Sequence, residues 1–164
     1  MTARRRFIGA ILFAGLLLGS AAYPAPALAG DASTSNAPAG NAPQGNPFAT
    51  HKLVLQLSDA SMEKQKLIIS GANSVLKDYP DTVSIVVVAF GPGVTILYAN
   101  SPEREAVDSL VAQGVEFDVC MNTIDTIKRK TGHAPKLNPH ARKVPYGIPR
   151  LMQLVSKGYV LVRP

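Results

Sequence analysis

The sequence contains one cysteine, Cys120, among 164 residues, so no disulfide can close within the chain. It also lacks a Cys-x-x-Cys pair, a Walker loop and a Gly-x-Ser-x-Gly elbow, which excludes the chemistries those motifs carry. After the first thirty residues no apolar run is long enough to cross a bilayer. No acidic residue follows Asp125, and no internal repeat is visible. What is present divides into an amino-terminal export signal, a polar tether and one domain.

Arg4, Arg5 and Arg6 form a positive start, Phe7 to Gly19 an apolar stretch, and Ala27-Leu28-Ala29 a small-x-small cleavage pattern. Together they predict a signal peptide over 1–29 and a periplasmic or secreted protein. The run Arg4-Arg5-Arg6-Phe7-Ile8 resembles a twin-arginine signal, but Ala3 and Gly9 depart from that pattern. The ordinary secretory route is therefore the expectation. With no cysteine in this region, lipid attachment at the cleavage site is excluded, and no stable membrane span is expected after cleavage. Residues 30–48 are rich in Ala, Pro, Asn, Gly and Ser with one charge, Asp31, and read as a disordered linker. Residues 49–164 have the usual size of one domain with one core.

Loss of the three signal arginines lowers the formal charge from +6 to +3. That is too little for a nucleic-acid-binding stripe, so no nucleic-acid partner is expected. The charge is unevenly placed. Nine basic and no acidic residues follow Thr126, whereas acidic residues outnumber basic ones between Phe48 and Asp125. The basic end either pairs with the acidic half of the same domain or forms a rim that attracts small anions.

Strand-like and helix-like patterns alternate through the domain. His51 to Leu57 reads as a strand, and Ser58, Asp59 and Ser61 offer caps for a helix reaching about Tyr79. Val83 to Phe90 is a near-continuous apolar run, as in a parallel strand covered on both faces. Gly91-Pro92-Gly93 breaks it. A short helical stretch near Val94–Tyr98 follows, then a helix from Pro102 to Gln113. Val115 to Cys120 is a third strand, and Asn122 or Thr123 could cap a helix to about Lys130. Thr131 to Arg142 reads as a long loop. Lys143 to Pro145 forms a short strand, Ile148 to Ser156 a helix and Tyr159 to Val162 a last strand. This alternation predicts a parallel sheet sandwiched between helices.

Ligand sites in open parallel sheets lie beyond the carboxyl ends of the strands. That edge should hold Ser58-Asp59, Gly91-Pro92-Gly93, Cys120-Met121-Asn122 and Pro145-Tyr146-Gly147. Cys120 falls there, directly before a helix whose backbone N–H groups and dipole would favour a thiolate. A lone cysteine in an exported chain is a buried apolar filler, an intermolecular bridge or a reactive thiol. His133, His140, Cys120 and Met121 could in principle bind a soft metal, but their spacing matches no standard site. No metal and no cofactor are therefore assigned. His133 or His140 as a base for Cys120 lacks an acidic partner nearby in sequence, and Asp59 reads as a helix cap.

Several segments carry a family resemblance. Val87-Val88-Ala89-Phe90-Gly91-Pro92-Gly93 and Gly114-Val115-Glu116-Phe117 leading to Cys120, Asn122 and Thr123 are two of them. Val144-Pro145-Tyr146-Gly147-Ile148-Pro149-Arg150-Leu151 and Gly158-Tyr159-Val160-Leu161-Val162-Arg163-Pro164 complete the set. On these the domain resembles the DsrE/DsrF-like family of sulfur-relay proteins. The resemblance implies a three-layer α/β/α sandwich with a five-stranded parallel sheet, and a homo-oligomer, trimer or hexamer. It also implies that Cys120 carries a persulfide received from a sulfane-sulfur donor and passed to an acceptor. Gly91, Gly93, Asn122 and Gly147 would shape its pocket. The alternative from a different class is a non-catalytic module that binds a small anion or thiol compound at the same edge.

Overall fold

A computed structural model describes residue 46 and residues 48–164. The expected signal peptide and nearly all of the expected linker lie outside the described residues.

The strands are β1 (His51–Leu57), β2 (Val83–Ala89), β3 (Glu116–Cys120), β4 (Arg142–Val144) and β5 (Val160–Val162). The helices are α1 (Met62–Asp78), α2 (Arg104–Ala112), α3 (Met121–Thr131) and α4 (Gly147–Ser156), with a 3₁₀ segment at Gly91–Leu97 between β2 and α2. All five strands run parallel in the order β4-β3-β2-β1-β5. The fold is the predicted three-layer α/β/α sandwich.

Strand order explains the layers. From β1 to β4 the chain steps steadily one way, and right-handed crossovers put the intervening helices on one face. Between β4 and β5 it returns to the far edge, so α4 covers the opposite face. The core divides accordingly. Leu55, Val87, Phe117 and Val119 point into a large cluster with Ile68, Val107, Leu110 and Ile124 of α1, α2 and α3. Val54, Val86 and Val88 point the other way, onto Leu151 and Leu154 of α4. Every residue of β2 is buried, as expected of a central parallel strand.

Helix starts depart from the sequence reading in an informative way. Ser61 caps α1, its hydroxyl accepting the Lys64 N–H at 3.3 Å, while Asp59 supports the turn by accepting the Ser61 N–H at 2.7 Å. That hydrogen bond holds the Asp59 carboxyl below its ordinary value. Neither Asn122 nor Thr123 caps α3. That helix follows β3 without a linker, with Cys120 itself in the cap position. The Asn122 N–H goes instead to the Pro145 carbonyl (3.1 Å), and the Thr123 hydroxyl accepts the Gly91 N–H (3.0 Å). Helix α2 begins at Arg104 rather than Pro102, after a turn in which the Ser101 hydroxyl accepts the Glu103 N–H. The 131–142 loop is tied down: Asn138 is buried, donates its backbone N–H to the Leu97 carbonyl, and donates through Nδ2 to Asp108 at 2.6 Å.

Candidate functional site

Strand β3 reads Glu-Phe-Asp-Val-Cys, a strict alternation. Since side chains alternate across a strand, Phe117 and Val119 fill the larger core while Glu116, Asp118 and Cys120 all face α4. After β3 the chain turns to α3 on one face of the sheet. After β4, its hydrogen-bonded neighbour, it turns to α4 on the other. The two connections part between these strands, and such a divergence opens a crevice at the carboxyl edge where open α/β sheets bind ligands. Cys120 stands at its β3 side and Pro145-Tyr146-Gly147 at its β4 side.

The crevice closes tightly on the sulfur. The Gly147 N–H, at the first turn of α4, donates to Cys120 Sγ at 3.3 Å. The thiol in turn lies 4.0 Å from the Pro145 carbonyl, a long and weak contact for S–H. Cys120 is only 4% exposed. Gly147 itself has no room for a side chain, because a Cβ there would sit 2.9 Å from Cβ of Phe90. The glycine thus brings the backbone of α4 against both Phe90 and the sulfur. A depression of about 330 Å³ opens beside this closure, lined by Met121, Asn122, Asp125, Lys143, Pro145 and Tyr146.

Of the residues expected at the site, Cys120 and Gly147 meet directly, and Asn122 lines the adjoining depression. Gly91 joins through its bond to Thr123 in the first turn of α3, with φ of +53° that suits glycine. Gly93 stands elsewhere: a Cβ on it would run into the Leu57 carbonyl, so it serves the packing of the 3₁₀ segment on β1. His133 and His140 are exposed on the 131–142 loop, where His133 Nδ1 lies 3.1 Å from the Thr131 carbonyl. Among the described residues no group of three His, Cys, Asp or Glu side chains could hold a metal.

Sequence reasoning missed an ionic cluster beneath the cysteine. Arg150 of α4 donates from Nε to Asp118 Oδ2 (2.6 Å) and from Nη2 to Glu116 Oε1 (2.8 Å). Arg142 of β4 donates to the same Glu116 oxygen at 2.6 Å. Asp118 is fully buried, and its Oδ1 has no hydrogen-bond partner. Burial, and then the neighbouring charge of Glu116, push its carboxyl up to about 6 against the opposing pull of Arg150 and Arg142. The carboxylates in turn raise Arg150 above its ordinary value against the effect of its own burial. Two residues of the basic carboxyl-terminal segment therefore pair with the acidic half of the same domain. The alternation of Glu116, Asp118 and Cys120 was the signal that could have revealed one polar strand face.

Neither a protein-family model nor a curated protein sequence matches the chain. Its structure is similar to that of a protein of unknown function, MTH1491, from Methanobacterium thermoautotrophicum. The two share 27% sequence identity and a TM-score of 0.63 over 70% of this chain and 99% of that one. The likeness is one of fold. Within the described residues no helix is long and apolar enough to cross a membrane.

Proposed function

We propose that this protein is an exported sulfur carrier of the DsrE/DsrF-like kind, holding a persulfide on Cys120 and acting in the periplasm or after secretion. The observation that carries the proposal is the Gly147 N–H directed at Cys120 Sγ, at the β3/β4 crevice of a parallel sheet. That N–H belongs to the first residue of a ten-residue helix and gives the sulfur a hydrogen-bond donor.

In the transfer step the Cys120 thiolate attacks the outer sulfur of a donor persulfide. A new S–S bond forms to Cys120, the donor's own S–S bond breaks, and the donor leaves as a thiolate with the bonding electron pair. Sulfur changes hands without net oxidation, and an acceptor thiolate unloads Cys120 by the same chemistry. The adjoining depression offers a place for part of the partner beside the covered sulfur. Incubation with a sulfane-sulfur donor, followed by intact mass measurement, tests the proposal.

The burial of Cys120 favours one other reading. A 4% exposed thiol suits a binding module in which the crevice takes a small anion or thiol compound and the cysteine only packs. Undiminished ligand affinity in a Cys120→Ser variant would support that reading.

The proposal includes self-association. Helix α4 buries Leu151 and Leu154 on the sheet, yet exposes Ile148, Met152 and Val155 along a second stripe. With Leu161, Phe90 and Leu151 they line an open groove of about 720 Å³. An exposed apolar groove of this kind marks an interaction surface, and a further copy of the chain is the occupant that agrees with the homo-oligomer implied by the resemblance.

A further inference from the structure

We propose that Arg150 is the positioning residue of the Cys120 site: by bridging Asp118 and Glu116 it latches the first turn of α4 to β3, which keeps the Gly147 N–H on the sulfur and the sulfur covered. The inference rests on the carrier reading for its purpose but on geometry for its substance. Gly147 and Arg150 are three residues apart in one helical turn, and the Arg150 N–H bonds back to the Tyr146 carbonyl at 3.3 Å. Cys120 and Asp118 are two residues apart on one face of β3. The contacts Gly147–Cys120 and Arg150–Asp118 therefore tie the same turn to the same strand side by side. A carrier whose sulfur is almost wholly covered has to release this turn before a donor can reach it.

The latch has a built-in tension. Asp118 faces Glu116 and Cys120 on its own strand, Arg142 from β4 and Arg150 from α4. From β2 it faces only Val86 and Val88. Its Oδ1 is 3.8 Å from Arg142 Nε, a charge contact without a hydrogen bond. Opening the turn would admit water to this carboxyl and let it return from about 6 toward its ordinary 3.8. Protonated Asp118 therefore favours the closed turn and ionised Asp118 the open one, by up to about 100-fold across that span. Arg150 keeps the closed turn in place when Asp118 is ionised.

The experiment measures how fast Cys120 reacts with the neutral disulfide 4,4′-dithiodipyridine, native and in urea, at pH values from about 5 to about 8. The ratio of unfolded to native rate at each pH removes the intrinsic pH dependence of the thiol. The wild-type ratio should fall about ten-fold or more as the pH rises through about 6. Asp118→Asn, which mimics the protonated acid, should stay protected with a flat profile. Arg150→Met should lose protection only where Asp118 is ionised, well above about pH 6, because removing Arg150 also removes a charge that lowers that carboxyl. A flat wild-type ratio, an Asp118→Asn profile that still bends near 6, or an Arg150→Met as protected as wild type at pH 8 would overturn the latch. Should Arg150→Met fail to fold, Arg150→Lys, which keeps the charge but not the two-pronged bridge, decides, and protection equal to wild type at about pH 8 would overturn the latch. Sulfane-sulfur loading of the same proteins is measured separately. No adduct on any of them would remove the carrier reading while the protection ratios still judge the latch.

Discussion

The backbone N–H of Gly147 lies 3.3 Å from the sulfur of Cys120, joining residues 27 positions apart across the gap between β3 and β4. The contact brings together a glycine in the first turn of α4 and the end of β3.

Gly147→Ala should disturb both ends of this contact. The added Cβ would press on Phe90 at 2.9 Å, which costs about 1–3 kcal/mol where the surroundings are well packed. Chemical denaturation should show that loss. The thiol should also react faster, because the start of α4 is displaced from Cys120.

The other glycines separate by environment. Gly93→Ala would drive a Cβ into the Leu57 backbone, and a carbonyl cannot swing aside as a side chain can. It should be the more damaging variant in the same denaturation assay. Gly71, inside α1, has nothing within 4 Å of where an alanine methyl would sit, so Gly71→Ala should stabilise by up to about 1 kcal/mol through helix propensity.

Stability should depend on pH through Asp118. Between 3.8 and about 6 the native protein holds a proton that the unfolded chain has released. This group's contribution is therefore greatest below 3.8 and declines as the pH rises to about 6. Asp118→Asn should flatten that part of the curve in urea melts taken across the range. Arg150→Met should cost about 3–5 kcal/mol at neutral pH, because it leaves buried carboxylates short of a counter-charge.

The α4 groove makes a separate prediction. Met152 is 69% exposed and Ile148 60%. A charge at either position should leave the fold intact, since each points to solvent in the single chain. Sedimentation should find wild type associated and Met152→Asp monomeric. Wild type that stays monomeric at high concentration would remove the self-association claim.

The fold is legible in the sequence because its signals are local. The pattern of β1 gives its observed bounds, His51–Leu57, and the near-continuous apolar run of β2 identifies a parallel strand covered on both faces. Pattern alone also places Cys120 at the end of β3. It does not supply the partner. That Gly147 and Arg150 reach Cys120 and Asp118 depends on β4 lying beside β3 while β5 crosses to the far edge, and three-residue strands carry no pattern that fixes their neighbours. Caps fail for a related reason. Asn122 and Thr123 have the right chemistry for capping α3, but the helix starts at Met121 and takes both into its first turn, where the Thr123 hydroxyl accepts the Gly91 N–H.

Sulfur carriage is tested most directly by the intact mass of the folded protein after incubation with a sulfane-sulfur donor at about pH 8, where the turn over Cys120 should be most open. A gain of one sulfur atom, removed by a thiol acceptor and absent from Cys120→Ser, is the predicted result. An unchanged mass in protein whose Cys120 reacts with 4,4′-dithiodipyridine under the same conditions would contradict it.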